Sequence, residues 1–395
     1  MRALVTAMLA MVPFGTIYAF SVLLRPLETA LGLTRSDMSL VFGAATVVFT
    51  IGMNVSPWIY GRISTGLSLL LSGLIGAAGL LLSAQAQNFV MLMLGYGVLF
   101  GLGGGICMTT AQQIVNLSPT KNRGLVNGYV VSLLPFGAMM GGPLLSMSIE
   151  QFGVRQALVH LSVLIFIAVL LAALNTGFGT IVRAQQETPS GAQDDPHQIG
   201  TRFGISNWPL FIHVALTFFL AAAAGLMVLS QSVGILLSYG AANPLAVMAT
   251  SVITGMIAAA RLSGGWMVDR FTLAQVMTGA HTWSLMGALL LSVWPGPLTA
   301  VAGLMMVGMG YGFMSGASAG GVAMYWRKQD FGLVSSRIYI GWCIAAISLP
   351  VLAGVLFDRH DSYQYSIWIA AIANVFGVLI ARRSARLLPA NKMSA

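Results

Sequence analysis

Long apolar runs alternate with short polar segments along almost the whole chain. A helix needs about 20 predominantly apolar residues to cross the hydrocarbon core of a bilayer. Runs of this length predict transmembrane helices at approximately 3–25, 38–60, 67–87, 89–117, 125–149, 157–181, 208–236, 245–268, 273–294, 298–325, 333–357 and 363–381. The pattern therefore predicts an all-α integral membrane protein with twelve transmembrane helices.

One long polar stretch, VRAQQETPSGAQDDPHQIGTRFGISN at residues 182–207, interrupts this pattern. Its Gln, Pro, Gly and Asp content is typical of a flexible linker. It divides the chain into an N-terminal six-helix bundle at 1–181 and a C-terminal six-helix bundle at 208–395, which ends in a short basic tail.

The two halves share short motifs at one constant offset. WIYGRI at 58–63 matches WMVDRF at 266–271, and GLV at 124–126 matches GLV at 332–334, both 208 residues apart. Such repetition indicates a duplicated six-helix unit, and paired repeats around a central site are a recurring design of secondary transporters.

Glycines at four-residue spacing indicate close helix packing, or smooth faces that let the halves rock past each other. They are Gly97, Gly101, Gly105, Gly308, Gly312, Gly316 and Gly320.

Composition and charge support the membrane assignment. Of 395 residues, 57% are hydrophobic and 7% are charged, against about 25% charged in ordinary soluble domains. The net charge of +9 lies mainly on the side of the two termini, with thirteen basic residues there and four opposite. The positive-inside rule therefore predicts cytoplasmic termini in an inner (plasma) membrane, and nucleic acid is not an expected partner. The thirteen are Arg2, Arg62, Lys121, Arg123, Arg183, Arg202, Arg270, Arg327, Lys328, Arg382, Arg383, Arg386 and Lys392, and the four are Arg25, Arg35, Arg155 and Arg359.

The remaining two basic residues, Arg261 and Arg337, fall inside predicted helices. Arg261 precedes Asp269 by eight residues, which places it about 12 Å inside the helix end at 1.5 Å per residue. A cation there costs about 3 kcal/mol on insertion scales. All ten acids are expected in loops or at helix ends: Glu28, Asp37, Glu150, Glu187, Asp194, Asp195, Asp269, Asp330, Asp358 and Asp361.

Three explanations for Arg261 compete. It extends to the lipid headgroups, it binds backbone carbonyls or glutamines as a structural residue, or it binds an anionic substrate. A guanidinium pairs with a carboxylate through two parallel hydrogen bonds, which favours an organic anion. Arg337 either reaches the interface or supplies a second anion contact or part of an inner gate. His160, His213 and His281 are alternative titratable groups, but the absence of acids from the helices favours anion exchange or passive carriage over proton symport.

Several segments resemble the major facilitator superfamily, and within it the oxalate/formate antiporter and monocarboxylate porter group. They are GTIYAFSVLLRPLETALGLTRSDMSL from Gly15, GLMVLSQSVG from Gly225, ARLSGGWMVDR from Ala260, YWRKQDFGLV from Tyr325 and LPVLAGVLFDRHDSY from Leu349. The loop signature Gly-x-x-x-Asp-Arg is present as Gly265, Asp269 and Arg270. In the first half only Arg62 remains, because Gly61 replaces the acid.

The resemblance implies that Arg261 is the substrate-carboxylate anchor. Trp342 stands where dicarboxylate exchangers carry a second cation, and Val22 stands where animal monocarboxylate porters carry a lysine. One cationic anchor favours a substrate with one carboxylate, unless Arg337 replaces the second. Further pocket candidates are Tyr18, Tyr129, Tyr339, Trp342, Gln112 and Gln231, with Gln113 beside them.

The sequence thus predicts a monomeric secondary transporter, without cofactor or metal, that moves a monocarboxylate such as pyruvate, lactate or formate, or else oxalate, by alternating access. An exporter of neutral or amphiphilic compounds and a membrane sensor that does not transport are the alternatives. An enzyme is excluded because paired carboxylates, metal-ligand spacing and a Ser/His/acid set are missing.

Overall fold

The computed structural model of the chain describes residues 2–119, 121–177 and 205–388. Most of the predicted linker at 182–207 lies outside the described residues. Within them, eleven segments are long and apolar enough to cross a membrane. One of these, Arg123–Thr176, contains the non-helical Gly153 (φ 80°, ψ 162°) and so holds two spans. The prediction of an all-α membrane protein with twelve transmembrane helices is confirmed.

Nearly all described residues lie in helices, in the following order. The N-terminal half contains α1 (Arg2–Phe14), a 3₁₀ segment (Gly15–Ala19), α2 (Phe20–Leu31), α3 (Arg35–Tyr60), α4 (Thr65–Ala84), α5 (Phe89–Leu92), a π-helical segment (Met93–Phe100), α6 (Gly101–Leu117) and α7 (Arg123–Thr176). The C-terminal half contains α8 (Trp208–Ser238), α9 (Asn243–Val268), α10 (Leu273–Val293), α11 (Pro297–Tyr325), α12 (Phe331–Ile347), α13 (Leu349–His360), α14 (Gln364–Ser384) and a final 3₁₀ turn (Ala385–Leu387).

Three predicted helices change geometry within their length, and the one predicted at 89–117 contains the π-helical segment Met93–Phe100. The helix predicted at 3–25 changes to 3₁₀ geometry at Gly15 and continues as α2 to Leu31. Pro13 lies just before this change, and proline removes a backbone donor from the helix. The helix predicted at 333–357 breaks at Ser348, and Pro350 lies in the first turn of α13, where the missing N–H of proline leaves no helical hydrogen bond unmade.

Polar caps begin several of the helices. Thr34 and Asp37 form a capping box at the start of α3, and Thr272 and Gln275 form another at the start of α10. Ser64 caps α4 through a hydrogen bond from the Leu67 amide. These side chains satisfy backbone N–H groups that have no partner within the first helical turn, so the local sequence sets where these helices begin.

The internal repeat is visible in the helix ends. Helices α3 and α9 end at Tyr60 and Val268, α4 and α10 begin at Thr65 and Leu273, and α7 and α12 begin at Arg123 and Phe331, each pair 208 residues apart. The arginine after α3 and the arginine after α9 also lie over equivalent tryptophans. Arg62 is 3.9 Å from the Trp58 ring centre, and Arg270 is 4.2 Å from that of Trp266. The duplicated motifs therefore have the same local structure.

The described residues form two compact units. The first contains residues 2–119, 133–177 and 328–337, and the second contains residues 121–132, 205–327 and 338–388. The first turns of α12 thus pack within the first unit, and the first turns of α7 pack within the second.

Candidate functional site

The Arg261 side chain is buried inside the second unit. It lies on α9 with 2% of its surface exposed and is among the largest fully buried side chains of the described residues. An arginine that reaches lipid headgroups would leave its guanidinium at the protein surface. The first of the three explanations, extension to the headgroups, is therefore wrong.

Two neutral oxygens fix the position of the guanidinium. Nη1 donates to the Val131 carbonyl at 3.0 Å, and Nη2 donates to the Tyr311 hydroxyl at 2.8 Å. The guanidinium carbon also lies 5.1 Å from the centre of the Tyr311 ring, within the range of a cation–π contact. Because both acceptors are neutral, these bonds orient the arginine without cancelling its charge.

Tyr311 is a site residue that was not predicted from the sequence. Its hydroxyl oxygen accepts a second hydrogen bond, from the Trp342 indole nitrogen at 2.9 Å. A phenol oxygen has two acceptor lone pairs, so one tyrosine connects the predicted anchor on α9 to the predicted pocket residue on α12. Its sequence signal is weak: a tyrosine between two glycines, Gly310 and Gly312.

Glycines bring the helices of the site close together. A side chain at Gly316 of α11 would overlap the Arg261 carbonyl, and a side chain at Gly225 of α8 would overlap the Tyr311 ring. The α11 glycines at four-residue spacing thus face α9, as expected for close packing of membrane helices. Without this approach the Tyr311 hydroxyl would not reach the guanidinium.

Aromatic rings complete the surroundings of the arginine. Tyr339 and Trp342 on α12 are buried, and their ring centres lie 6.1 Å apart. Phe218 of α8 lies 5.4 Å from the Tyr339 ring and 6.5 Å from the Tyr311 ring. We call Arg261, Tyr311, Tyr339, Trp342 and Phe218 the arginine cluster. The cluster contains three of the residues predicted from the sequence, Arg261, Tyr339 and Trp342.

The cluster so defined does not include the other predicted pocket residues. Gln231 of α8 donates to the Pro350 carbonyl at 3.4 Å and accepts from the Tyr363 hydroxyl at 3.3 Å, so both ends of its amide are bonded within the second unit. Tyr129 is half-buried in the first turns of α7. Tyr18 (half-buried), Gln112 (buried) and Arg337 (exposed) belong to the first unit. Substrate contacts for these residues stay predictions.

The acid of the loop signature caps a helix. Asp269 accepts hydrogen bonds from the backbone amides of Gly124 at 2.8 Å and Leu125 at 2.7 Å, at the start of α7. The free N–H groups and the positive dipole end of a helix stabilise a carboxylate there. The glycine of the signature is equally constrained, because a side chain at Gly265 would overlap the backbone of Gly124 and Gly128.

Different contacts lie near the equivalent place in the first unit, where Gly61 replaces the acid. The side-chain amides of Gln113 and Asn116 donate to the Lys328 carbonyl at 3.1 and 3.4 Å, and the Tyr60 hydroxyl lies against Gly332 at the start of α12. The sequence shows only that Gly61 replaces the acid in this half. The structure adds that the neutral amides there donate to a carbonyl, whereas Asp269 accepts from helix N–H groups.

Comparisons with known proteins give a family and a fold. The model of the Major Facilitator Superfamily matches residues 4–264. The uncharacterized MFS-type transporter YhjX of Escherichia coli is 23% identical over 345 residues, which cover 84% of this chain and 82% of YhjX. Human monocarboxylate transporter 12 is 32% identical over 103 residues, which cover 26% of this chain and 20% of that protein.

Solved transporter structures share the whole fold at low sequence identity. A double-tryptophan mutant of XylE superposes with a TM-score of 0.80 at 15% identity, covering 98% of this chain and 95% of that one. A variant of the E. coli fucose:proton symporter FucP gives a TM-score of 0.72 at 16% identity, covering 97% and 98%. These similarities establish the fold of the chain.

Proposed function

Because this chain belongs to the Major Facilitator Superfamily and is therefore a membrane transporter, we propose that it carries a small organic anion with a single carboxylate. Pyruvate, lactate and formate are the first candidates, and oxalate is a further one. The monocarboxylate transporters among its distant relatives support this substrate class. The chain is not an enzyme.

The buried guanidinium of Arg261 is the observation that carries this proposal. It keeps its charge in a protein interior, where Coulomb interactions are far stronger than in water. Val131 and Tyr311 hold it in a defined orientation, and an oriented guanidinium is well suited to a planar carboxylate. Tyr339 and Trp342 lie beside it and would limit the size of the guest.

Transport would proceed by alternating access between the two halves, residues 1–181 and 208–395, joined by the linker at 182–207. The bonds from Gly124 and Leu125 to Asp269 join residues of both halves, and in this proposal they break and re-form in each cycle. The carrier would act as a monomer in the inner (plasma) membrane with both termini in the cytoplasm, as the distribution of basic residues predicts.

The test is counterflow of radiolabelled pyruvate, lactate, formate and oxalate in proteoliposomes. Arg261→Ala should reduce exchange of the preferred anion at least about tenfold, since a charge-assisted hydrogen bond is worth about 1.5–3 kcal/mol and 1.4 kcal/mol is tenfold. Arg261→Lys keeps the charge but loses the planar fork, and should raise the KM more than it lowers the maximal rate.

Arg386→Ala provides the matched control, because it removes an exposed arginine outside the cluster. It should exchange anions at the wild-type rate. Full activity of a folded Arg261→Ala protein would remove the proposal, as would wild-type protein that exchanges none of the four anions.

A further inference from the structure

His281 is an ionisable group that the proposed anion site does not use. It lies in the middle of α10, is completely buried, and is the only titratable residue of that helix. Its ring is held between α8 and α14: Nδ1 lies 2.9 Å from Asn374 Oδ1, and Nε2 lies 3.2 Å from the Thr217 backbone carbonyl oxygen.

Both partners of the ring are hydrogen-bond acceptors. The Thr217 carbonyl oxygen can only accept. Asn374 presents its oxygen because its amide nitrogen donates to the Ala370 carbonyl at 2.8 Å. If the amide were rotated by half a turn, the Asn374 oxygen would lie 2.8 Å from the Ala370 carbonyl oxygen, and neither atom could donate. The hydrogen-bond partners therefore determine the orientation of the amide.

A neutral imidazole has one N–H, whereas the imidazolium form has two. With acceptors at both nitrogens, only the doubly protonated ring makes both bonds, and a neutral ring leaves one lone pair facing an oxygen. From this geometry we propose that His281 is a proton-binding site built into the interior of the second unit, and that its proton links α8, α10 and α14.

The surroundings hold the ring in this position. A side chain at Gly377 of α14 would overlap the imidazole, so the glycine provides the space for it. The Thr217 hydroxyl donates to the His213 carbonyl at 2.8 Å, one turn earlier on α8. The helix packing thus leaves a defined space for the ring. The protonation state of the ring decides whether both acceptors, Asn374 Oδ1 and the Thr217 carbonyl oxygen, receive a hydrogen bond.

Burial and hydrogen bonding have opposite effects on the protonation of the His281 ring. Removal from water disfavours the charged ring, and two acceptors favour it. The neighbouring helices carry few other ionisable groups among the described residues. These are His213 on α8, Arg261 on α9, Tyr311 and Tyr325 on α11, and the exposed Tyr365, Arg382 and Arg383 on α14, with the exposed Arg386 just beyond it. The ring's hydrogen bonds go to Asn374 and Thr217.

Helix α8 connects the proton site to the arginine cluster. Thr217 accepts from His281, and the next residue, Phe218, packs against Tyr311 and Tyr339. A change at the ring is therefore transmitted through one backbone step to the residues around Arg261. This coupling rests on the proposed anion transport. It departs from the exchange or passive carriage that the absence of acids from the predicted helices favoured, because His281 is a titratable group that is not an acid. The proton site itself does not rest on the anion transport.

The first experiment measures proton binding without transport. The melting temperature of the purified full-length protein is compared with that of His281→Gln at pH 5.5 and pH 8. The bonds of the imidazolium are complete at low pH, and one is lost as the ring deprotonates, so the wild type should lose more stability between these values than the variant. His213→Gln, which changes a half-buried histidine of α8, should behave as the wild type.

Asn374→Asp provides a second variant that does not remove the ring. It places a carboxylate at the same acceptor position, so it should hold the proton more tightly and move the loss of stability to higher pH. Equal pH dependence in the wild type, His281→Gln and Asn374→Asp would overturn the proton site.

The second experiment tests the coupling in proteoliposomes. Pyruvate uptake driven by an alkaline interior is compared with pyruvate counterflow at equal pH. His281→Gln should lose most of the gradient-driven uptake and keep counterflow, and unchanged gradient-driven uptake would overturn the coupling. If wild-type protein shows no anion counterflow, the proposed function fails, while the melting comparison still decides whether His281 binds a proton.

Discussion

A single phenol oxygen links two buried donors in the second unit. Tyr311 accepts from a guanidinium on one side and from an indole on the other. Both donors are buried, and a buried donor that loses its acceptor keeps the full cost of its desolvation. Tyr311 therefore has a structural role that is independent of any substrate.

Replacement of this oxygen has a measurable consequence. Tyr311→Phe should lower the free energy of unfolding by about 1–3 kcal/mol, because the donors of Arg261 and Trp342 lose a shared acceptor. It should also weaken anion binding by releasing the guanidinium. Denaturant titration in mixed micelles measures the first effect and substrate-dependent thermal shift the second.

Tyr365→Phe is the control for this substitution, because Tyr365 is 52% exposed and removal of its hydroxyl should cost little. Equal stability of the Tyr311 and Tyr365 variants would show that the two buried donors find other acceptors.

At the scale of the helices, glycine determines which elements can meet. Gly265 of α9 lies against the backbone of Gly124 and Gly128 in α7, and Gly316 of α11 lies against the Arg261 carbonyl. The backbones approach closely at these points, so van der Waals contacts replace the hydrophobic drive that is missing in lipid. The carboxylate of Asp269 completes the contact at the start of α7.

Two alanine substitutions separate this packing role from helix propensity. Gly265→Ala should destabilise the protein by about 1–3 kcal/mol, as overpacking does, and should reduce transport, since its neighbours are backbone atoms that cannot turn away. Gly279→Ala in α10 meets no atom within 4 Å and should be neutral or stabilise by up to about 1 kcal/mol.

The melting temperatures of the two alanine variants provide the measurement. A Gly265→Ala protein as stable and active as Gly279→Ala would show that α7 and α9 do not pack this closely in the membrane.

At the scale of the whole chain, duplication and charge distribution define the architecture. Helix ends recur at an offset of 208 residues, yet the two copies differ in chemistry. Asp269 holds the start of α7, whereas Gln113 and Asn116 hold the chain just before α12. The acid of one copy therefore accepts from helix N–H groups, whereas the amides of the other copy donate to a carbonyl.

The orientation in the membrane is a testable property of the complete chain. Because basic residues concentrate on the side of the termini, we expect both termini in the cytoplasm. A C-terminal green fluorescent protein should fluoresce in bacterial cells, and a C-terminal alkaline phosphatase should be inactive. Active phosphatase would reverse the assignment.

Local sequence determined most of the architecture. Apolar runs predicted the membrane spans, capping residues such as Thr34 and Thr272 mark helix starts, and the repeated WIYGRI and WMVDRF motifs predicted the duplication, because each depends on neighbours within one helix or loop. The special position of Arg261 was also predictable, since a cation in an apolar run is costly, but its burial was decided by the packing of α9.

Only the tertiary structure decided which residues meet. It joined Arg261 to Tyr311 and Trp342, which lie 50 and 81 residues away along the chain. It tied Gln231 to Pro350 and Tyr363, and it placed two acceptors on His281. Periodicity predicts which face of a helix is apolar. The partner of a polar side chain, however, depends on how separate helices pack. That packing depends in turn on the close approach of helices at particular glycines.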